Sequence, residues 1–346
     1  MNVIRVLSDR EPGETPYTED KLLEIYEDMV RARIFDEKAL SLQRRGWMSG
    51  YPPYRGQEAS QVAAAHALEE RDWFFPTYRS NAAQIARGVP MSDILLFRRG
   101  FPEFNSNHDV NNFTQATPIA TQIPHAVGFG MASNYRDDDC RVMCYFGDGA
   151  TSEGDFHEGM NFAGVFDAPV LFLCENNGWA ISVPTGKQTA SETIAEKAEA
   201  YGFQGVRVDG NDPLAVHTAV SDCLELAEQE PIMLESLTYR HGAHTTSDDP
   251  SKYRHIEPEM PEWRTVDPLE RYGEYLKENG VLSEGEMEGI REDAEMEIKE
   301  AVEIAESTDD PEPEELFDRV YGATGPELER QKNQLMSEFD DIRGDD

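Results

Sequence analysis

The chain is poor in basic residues. Lys and Arg total 31 against 68 Asp and Glu, which gives a formal net charge of −37. This deficit of positive charge excludes a protein that binds nucleic acid by neutralising phosphates, and it disfavours docking on an anionic membrane. We expect so acidic a chain to be halophilic, because molar salt shortens the Debye length to about 3 Å and screens the repulsion between carboxylates.

Signals for secretion, membrane insertion and disulfide scaffolds are also missing. No run of about 18 apolar residues exists, and the segment MNVIRVLSDREPGETP has neither a hydrophobic signal core nor the acid-free character of a transit peptide. The 4 cysteines are too few for a disulfide scaffold and are expected to be buried thiols. We therefore expect a cytoplasmic protein.

The patterns that are present predict an α/β protein in three parts. Residues 1–50 are expected to form an N-terminal helical segment, and residues 261–346 an acidic helical extension that faces another subunit. Residues 51–260 contain short β-rich runs, each separated by a helical stretch: RVMCYF, APVLFLC, GVRVD and PIMLESL. This alternation predicts a doubly wound parallel sheet flanked by helices.

The segment CYFGDGATSEGDFHEGMNFAGVFDAPVLFLCENNGWAIS is the most informative. One strand runs into Gly147, Asp148 and Gly149, and 26 residues lie between Gly149 and Asn176, which is enough for one helix, two turns and one strand. The carboxyl ends of parallel strands meet at one edge of the sheet. We therefore expect Asp148 and Asn177 to face one cavity.

These residue types suit a metal that bridges to phosphate. A carboxylate, an amide oxygen and a nearby backbone carbonyl are hard ligands for Mg²⁺, and they leave coordination positions for phosphate oxygens and water. The flanking glycines allow the backbone to approach phosphates closely, and the start of the following helix favours negative charge. The pair of motifs therefore predicts a site for a metal-bridged diphosphate.

Rival motif assignments for this segment fail on spacing. A dinucleotide fingerprint needs a sixth-position glycine, but Ser152 stands there after Gly147, and Ser133 stands there after Gly128. An EF-hand loop that starts at Asp148 would place an alanine at its third position, and no Walker motif occurs. Taken alone, the GDG motif at 147–149 would more often be a turn, and the NN motif at 176–177 a helix cap.

Together with other segments, these motifs resemble the α subunit of the thiamin diphosphate-dependent E1 component of 2-oxo acid dehydrogenase complexes. The resemblance extends over nearly the whole chain: GQEASQVAAAHAL, PTYRS, TPIATQIPHAVG, GDGATSEGD, ENNGWAIS, VDGNDPLAV, TYRHGAHTTSDDPSKYR and LFDRVY. It implies a thiamin diphosphate-binding fold and the oxidative decarboxylation of a 2-oxo acid, with transfer of the acyl group to the lipoyl group of E2.

The resemblance also implies roles for individual residues. Mg²⁺ ligands match Asp148, Asn177 and the backbone carbonyl of Trp179. Arg240 and His244 match the catalytic basic pair on a loop over the active site, and His241 is expected to be inert. Further cofactor-binding positions match Tyr78, Arg79, Thr117, Ile119, Gly147, Gly149, Ala150 and His244. Thr121 and Gln122 match a K⁺ site of some members.

Thiamin chemistry needs a glutamate against the aminopyrimidine ring, and no motif of this chain marks one. The resemblance implies that a β subunit supplies it, so that an α₂β₂ heterotetramer completes the site and docks on a lipoyl-bearing E2 acyltransferase. Two alternatives stay open: a thiamin-dependent transketolase or synthase, and a non-catalytic Mg²⁺-diphosphate-binding assembly subunit. The substrate is also open between pyruvate and branched-chain 2-oxo acids, with Thr77 and Ile119 expected to size the pocket.

The charge generates the first testable prediction. Lowering salt from molar to about 0.1 M lengthens the Debye length to roughly 10 Å, so that neighbouring carboxylates repel one another. We expect the melting temperature, followed by circular dichroism across a KCl series, to fall as salt is removed. A melting temperature independent of KCl would contradict the halophilic interpretation.

Overall fold

A computed structural model describes residues 2–106, 108–254, 260–318 and 320–343. Its internal contacts divide the chain into two units, Met1–Val302 and Glu303–Asp346. The first unit contains the central sheet and the candidate site. The second contains two helices, Glu315–Asp318 and Pro326–Arg343. The three-part division at residues 50 and 260 stays a prediction.

Seven strands are described. In chain order they are β1 (Trp73–Phe75), β2 (Val142–Gly147), β3 (Val170–Asn176), β4 (Trp179–Ala180), β5 (Val183–Pro184), β6 (Gly205–Asp209) and β7 (Ile232–Leu237). The order β1-β2-β3-β7-β6 forms one sheet in which every pairing is parallel. β4 and β5 form a separate antiparallel pair directly after β3. The four predicted strands are thus confirmed, whereas β1 is too short to show a pattern in the sequence.

The helices are α1 (Glu19–Arg44), α2 (Glu58–His66), α3 (Asn81–Ala86), α4 (Met91–Arg98), α5 (Gln122–Arg136), α6 (Gly154–Phe166), α7 (Pro213–Ala227), α8 (Glu262–Thr265), α9 (Pro268–Glu278), α10 (Glu284–Ser307), α11 (Glu315–Asp318) and α12 (Pro326–Arg343). α1 begins after Thr18, whose hydroxyl caps the helix by accepting from the Lys21 backbone N–H. None of the helices in the described part of the chain is long and apolar enough to cross a membrane.

Helices cover both faces of the sheet, which confirms the doubly wound α/β fold. α5 and α6 supply Ile123, Phe156 and Met160 to a core that also contains Phe146 and Phe172 of β2 and β3. α7 packs against β3, β6 and β7, and α2 packs against α7. Strands buried on both sides need apolar side chains throughout, which explains their lack of alternation.

The register brings the ends of the central strands together. Gly147 at the end of β2 pairs with Glu175, and Asn176 at the end of β3 pairs with Leu237 of β7. The residues after these strands therefore start from the same carboxyl edge. The expected side-by-side placement of the two motifs is confirmed.

A buried ion cluster joins three helices near this edge. Arg33 of α1 donates through Nε to Glu58 of α2 at 2.6 Å and through its two terminal nitrogens to Asp267, the N-cap of α9, at 3.0 and 2.9 Å. The Glu58 carboxylate also accepts from the Gly56 backbone N–H at 2.8 Å. Arg33 thereby compensates two carboxylates that water barely reaches.

We predict that Arg33→Met destabilises the fold strongly, because it leaves Glu58 and Asp267 without their shared cation. Removing one member of a buried ion pair costs about 3–5 kcal/mol of unfolding free energy. Arg31→Met is the matched control, since Arg31 binds Glu297 from a more exposed position on the same helix and should cost at most about 1 kcal/mol. Urea denaturation measures both, and equal losses would contradict the special role of Arg33.

Candidate active site

A cavity of about 240 Å³ opens at the carboxyl edge of β2 and β3. Its lining comes from the segment after β1, the segment before α5, the turn after β2, the end of β3, the β4–β5 hairpin and the segment after β7. The predicted residues in the lining are Tyr78, Arg79, Ile119, Gln122, Gly147, Asp148, Gly149, Ala150, Asn177, Trp179, Arg240 and His244. Segments far apart in sequence thus converge on one ligand-sized space.

Two predicted residues do not line this cavity. Thr117 is exposed beside the lining residues Ala116 and Pro118, and Thr121 lies at the start of α5 with its carbonyl accepting from His125. Gln122 does line the cavity, but its amide donates to the Tyr145 carbonyl at 2.8 Å. The structure therefore does not bring Thr121 and Gln122 to the cavity as a pair.

Asp148 is the buried carboxylate of the site. It follows β2 in a short 3₁₀ turn, Asp148–Ser152, and is only 1% exposed. Its Oδ2 accepts from the Thr185 hydroxyl at 2.6 Å and from the Gln188 amide at 3.4 Å, and no Lys or Arg of the described chain forms an ion pair with it. Burial raises the pKa of Asp148, and the Thr185 hydrogen bond is the first of the opposing effects.

Asn177 lies beside this carboxylate in the same lining. Its Oδ1 accepts from the Trp179 backbone N–H at 3.1 Å, and its Nδ2 donates to Gln57 at 2.8 Å. Gly178 between them has φ +87°, a left-handed conformation that favours glycine. The turn thus places an amide oxygen and the Trp179 backbone near one point.

These donors fit a divalent cation. Burial of the Asp148 carboxylate is costly, since the charges of Arg264 and Arg240 offset only part of the desolvation, and a bound metal would reduce that cost. No group of three or more His, Cys, Asp or Glu suited to a metal occurs within the described ranges. A metal here would therefore use mixed oxygen donors, which suits the hard cation Mg²⁺.

The backbone packs closely behind this position. A Cβ on Gly149 would approach the Ala180 Cβ to 2.9 Å, so only glycine lets the turn after β2 lie against β4. Ile181, the residue after β4, has φ +55°, which is a strained conformation for a β-branched side chain. Its carbonyl accepts from Arg240 at 3.3 Å, which holds the strained residue at the cavity rim.

Two arginines, Arg79 and Arg240, form a basic wall in the lining of the same cavity. Arg79 is 6% exposed and donates to the carbonyls of Pro53 and His244. Arg240 is 1% exposed, and its guanidinium contacts the Tyr253 hydroxyl at 3.3 Å. Burial and the charge of Arg79 lower the pKa of Arg240 to about 10. Two buried cations that repel each other favour an anionic ligand in the cavity that they line.

His244 is fixed between these two arginines. Arg79 lies 3.0 Å and Arg240 3.4 Å from its Nδ1. Because a guanidinium has no acceptor, Nδ1 must accept and Nε2 must carry the ring proton. Burial, followed by the charges of Arg79 and Arg240, lowers the pKa of His244 to about 3. The ring is therefore a neutral hydrogen-bond donor.

His241 behaves differently, in agreement with the expectation that it is not part of the site. It does not line the cavity, and its ring stacks edge-on against Tyr239 at 5.1 Å. Its backbone N–H donates to the Arg55 carbonyl at 3.0 Å. The contacts of His241 therefore tie the loop to the N-terminal part of the chain.

Sequence reasoning missed Glu175. This glutamate is the sixth residue of β3, lines the cavity and accepts from Tyr145 at 3.1 Å and from Gln61 at 3.3 Å. Burial raises its pKa to about 8. An acidic residue in the apolar run VLFLCEN was a usable signal, because a buried strand rarely contains a carboxylate without a function or a partner.

The fold and the site together define an α/β protein with a ligand cavity at the carboxyl edge of its sheet, equipped with buried groups for an anionic ligand. Comparison with known proteins gives the family. The family model described as "Dehydrogenase E1 component" matches residues 26–314. The chain belongs to this dehydrogenase E1 component family.

Curated relatives agree over most of the chain. The 3-methyl-2-oxobutanoate dehydrogenase subunit alpha of Mycobacterium tuberculosis is 41% identical over 329 residues, which cover 93% of this chain and 88% of the relative. The pyruvate dehydrogenase E1 component subunit alpha of Bacillus subtilis is 41% identical over 320 residues, 91% of this chain and 85% of the relative. The 2-oxoisovalerate dehydrogenase subunit alpha 2, mitochondrial, of Arabidopsis thaliana is 39% identical over 328 residues, which cover 91% of this chain and 69% of the relative.

These findings confirm the expected family, the thiamin diphosphate-binding type of fold and the activity, a 2-oxo acid dehydrogenase of the E1 alpha type. Family membership implies thiamin diphosphate as the cofactor. It also argues against the transketolase or synthase alternative.

We predict that His244 stays neutral throughout the physiological pH range. Its folded-state pKa of about 3 lies below the ordinary value of 6.5, so the unfolded chain takes up the proton first as pH falls. Stability from this group is therefore complete above pH 6.5 and decreases toward pH 3. Deuterium exchange at the imidazole C2, followed by mass spectrometry, measures the pKa, with the urea-unfolded chain as control. A folded-state value near 6.5 would contradict the buried arrangement.

Proposed function

We propose that this chain is the half of an E1 enzyme that binds the diphosphate end of thiamin diphosphate, and that a β subunit completes the site. The observation that carries the proposal is the convergence of Asp148, Asn177, Arg79, Arg240 and His244 on one cavity. The carboxylate and the amide suit a metal, and the basic wall suits a phosphate. A non-catalytic assembly subunit would not need the neutral histidine fixed beside them.

In this proposal Mg²⁺ is held by the Asp148 carboxylate, the Asn177 amide oxygen and the Trp179 carbonyl, and it neutralises the diphosphate. Arg79 donates to phosphate oxygens, with Tyr78 beside it in the lining. Gly147, Gly149 and Ala150 keep the backbone close to the ligand. Thiamin diphosphate, when bound here, would supply carbon nucleophile chemistry toward the carbonyl group of a 2-oxo acid.

His244 and Arg240 act on the substrate side. The Nε2–H of His244 is available to donate to an oxygen of the substrate, because Arg79 and Arg240 occupy Nδ1. Arg240 positions this ring and repels a second proton from it. The pair therefore offers a hydrogen-bond donor of fixed tautomer for proton transfer.

The substrate is a 2-oxo acid with a short aliphatic side chain, either pyruvate or a branched-chain 2-oxo acid. Relatives named for each are equally identical to this chain, at 41%. Thr77 and Ile119 line the cavity and are the proposed size determinants. One methylene changes specificity by only about 1–3 kcal/mol, so kcat/KM for both substrates in the assembled enzyme is the deciding measurement.

The partners belong to the proposal as well. We infer an α₂β₂ assembly in which the β subunit supplies the glutamate for the aminopyrimidine ring, and a lipoyl-bearing E2 that accepts the acyl group. The proposal also includes a K⁺ ion at Thr121 and Gln122, a cytoplasmic location and a halophilic habitat. Glu175 is the rival source of the glutamate within this chain, because it is an acid that lines the cavity.

We predict that Asp148→Ala abolishes Mg²⁺-dependent binding of thiamin diphosphate, because the metal loses its charged ligand. Asn177→Ala should weaken binding less, since water can partly replace a neutral ligand. Calorimetric titration of the assembled complex measures both. Cofactor affinity unchanged in Asp148→Ala would refute the metal site.

The divided site gives a further prediction. The isolated chain with thiamin diphosphate and Mg²⁺ should not decarboxylate 2-oxo acids with an artificial electron acceptor, whereas addition of the β subunit should restore activity. Activity of the isolated chain equal to that of the mixture would overturn the proposal. Glu175→Gln would then show whether Glu175 supplies the acid, since this variant keeps the size of the side chain and one acceptor oxygen and removes the carboxyl group.

A further inference from the structure

Two residues outside the cavity lining hold the side chains that we assign to the metal. Gln57 precedes α2 and contacts Asn177, and Thr185 follows β5 and contacts Asp148. We propose that Gln57 and Thr185 are positioning residues, which fix the oxygen atoms of Asn177 and Asp148 for a divalent cation. This inference rests on the proposed function and extends it to the groups behind the ligands.

The orientation of the Asn177 amide follows from its two contacts. The Trp179 backbone N–H can only donate, so the atom 3.1 Å from it must be the Asn177 oxygen. The nitrogen then faces Gln57, which must present its own oxygen at 2.8 Å. Gln57 thereby prevents the Asn177 amide from turning its nitrogen toward the cavity, where it would repel a cation.

Gln57 adopts this orientation at a cost. The residue is fully buried, and its Nε2 has no hydrogen-bond partner among the described residues. A buried amide nitrogen without an acceptor is unfavourable, and an apolar residue would avoid that penalty. Within the described ranges, the Gln57 side chain forms its hydrogen bond with Asn177 alone, so the unpartnered nitrogen indicates that this position requires an acceptor toward Asn177.

Thr185 restrains Asp148 in the same manner. The antiparallel pair β4–β5 returns the chain so that the Thr185 backbone N–H donates to the Gly178 carbonyl at 3.0 Å. From there the hydroxyl donates to Asp148 Oδ2 at 2.6 Å, a short hydrogen bond to a buried carboxylate. With Oδ2 engaged, the carboxylate cannot rotate freely and Oδ1 stays available to a metal.

The test compares variants that remove a hydrogen bond with a variant that keeps it. Thr185→Val and Gln57→Met keep the approximate size of the side chain and remove the contact, whereas Thr185→Ser keeps the hydroxyl group that contacts Asp148. Mg²⁺ is titrated into the assembled complex at saturating thiamin diphosphate, and heat is measured. We expect about 10–100-fold weaker Mg²⁺ binding in Thr185→Val and Gln57→Met, the usual effect of losing an outer-shell partner, and near-normal binding in Thr185→Ser.

A purely structural role would change other quantities. It would lower the melting temperature of Thr185→Val and reduce kcat at every Mg²⁺ concentration. Positioning predicts instead that kcat of this variant recovers at high Mg²⁺ and that only the half-saturating concentration rises. If Thr185→Val fails to fold by circular dichroism, Gln57→Met decides by the same measurement.

The same Mg²⁺ titration of Asp148→Ala distinguishes failure of the proposed metal site from failure of the positioning roles. Unchanged Mg²⁺ affinity in Asp148→Ala would overturn the metal site and the positioning roles together. Loss of Mg²⁺ binding in Asp148→Ala with normal affinity in both Thr185→Val and Gln57→Met would overturn the positioning roles alone.

Discussion

The burial of the Asp148 carboxylate at the end of β2 is the constraint around which the site is organised. A carboxylate removed from water needs hydrogen bonds or a cation, and the described chain gives it hydrogen bonds from Thr185 and Gln188 together with the charges of Arg264 and Arg240. The β4–β5 hairpin brings Thr185 to this carboxylate, and Gly149 lets the turn that contains Asp148 lie against β4. The local fold thus supplies Asp148 with hydrogen-bond donors, Thr185 and Gln188, in place of water.

The basic wall, formed by Arg79 and Arg240, contains buried positive charge instead of buried negative charge. Arg79 and Arg240 are buried close enough to lower the pKa of Arg240 to about 10 and that of His244 to about 3. Neighbouring carbonyls, the Tyr253 hydroxyl and the histidine Nδ1 accept from these arginines. Since these acceptors are mostly neutral, the positive charge stays available to an anionic ligand. Burying two like charges side by side destabilises the fold. Functional sites often contain such destabilising groups, because their charges are then preorganised for a ligand.

Much of this arrangement could be predicted because it depends on local patterns. Strands β2 and β3 are continuous apolar runs, and parallel topology places the residues after both strands at one edge. By contrast, the tautomer of His244, the contact of Gln57 with Asn177 and the placement of Thr185 behind Asp148 depend on residues 165, 120 and 37 positions apart. Contacts at such separations have no local periodicity, and β1, with three residues, is too short to show one.

An acidic protein can bind an anionic cofactor if the electrostatic interactions of its surface carboxylates reach only a short distance. The formal net charge of −37 would raise the energy of a diphosphate anywhere near the surface in dilute buffer. In molar salt, charges beyond about 3 Å are screened, while buried pairs are screened much less. The ligand would then respond to the buried Arg79 and Arg240 rather than to the surface carboxylates. Burial of the basic wall and acidity of the surface are therefore compatible, because salt that screens the surface carboxylates leaves most of the attraction of the buried arginines for an anion.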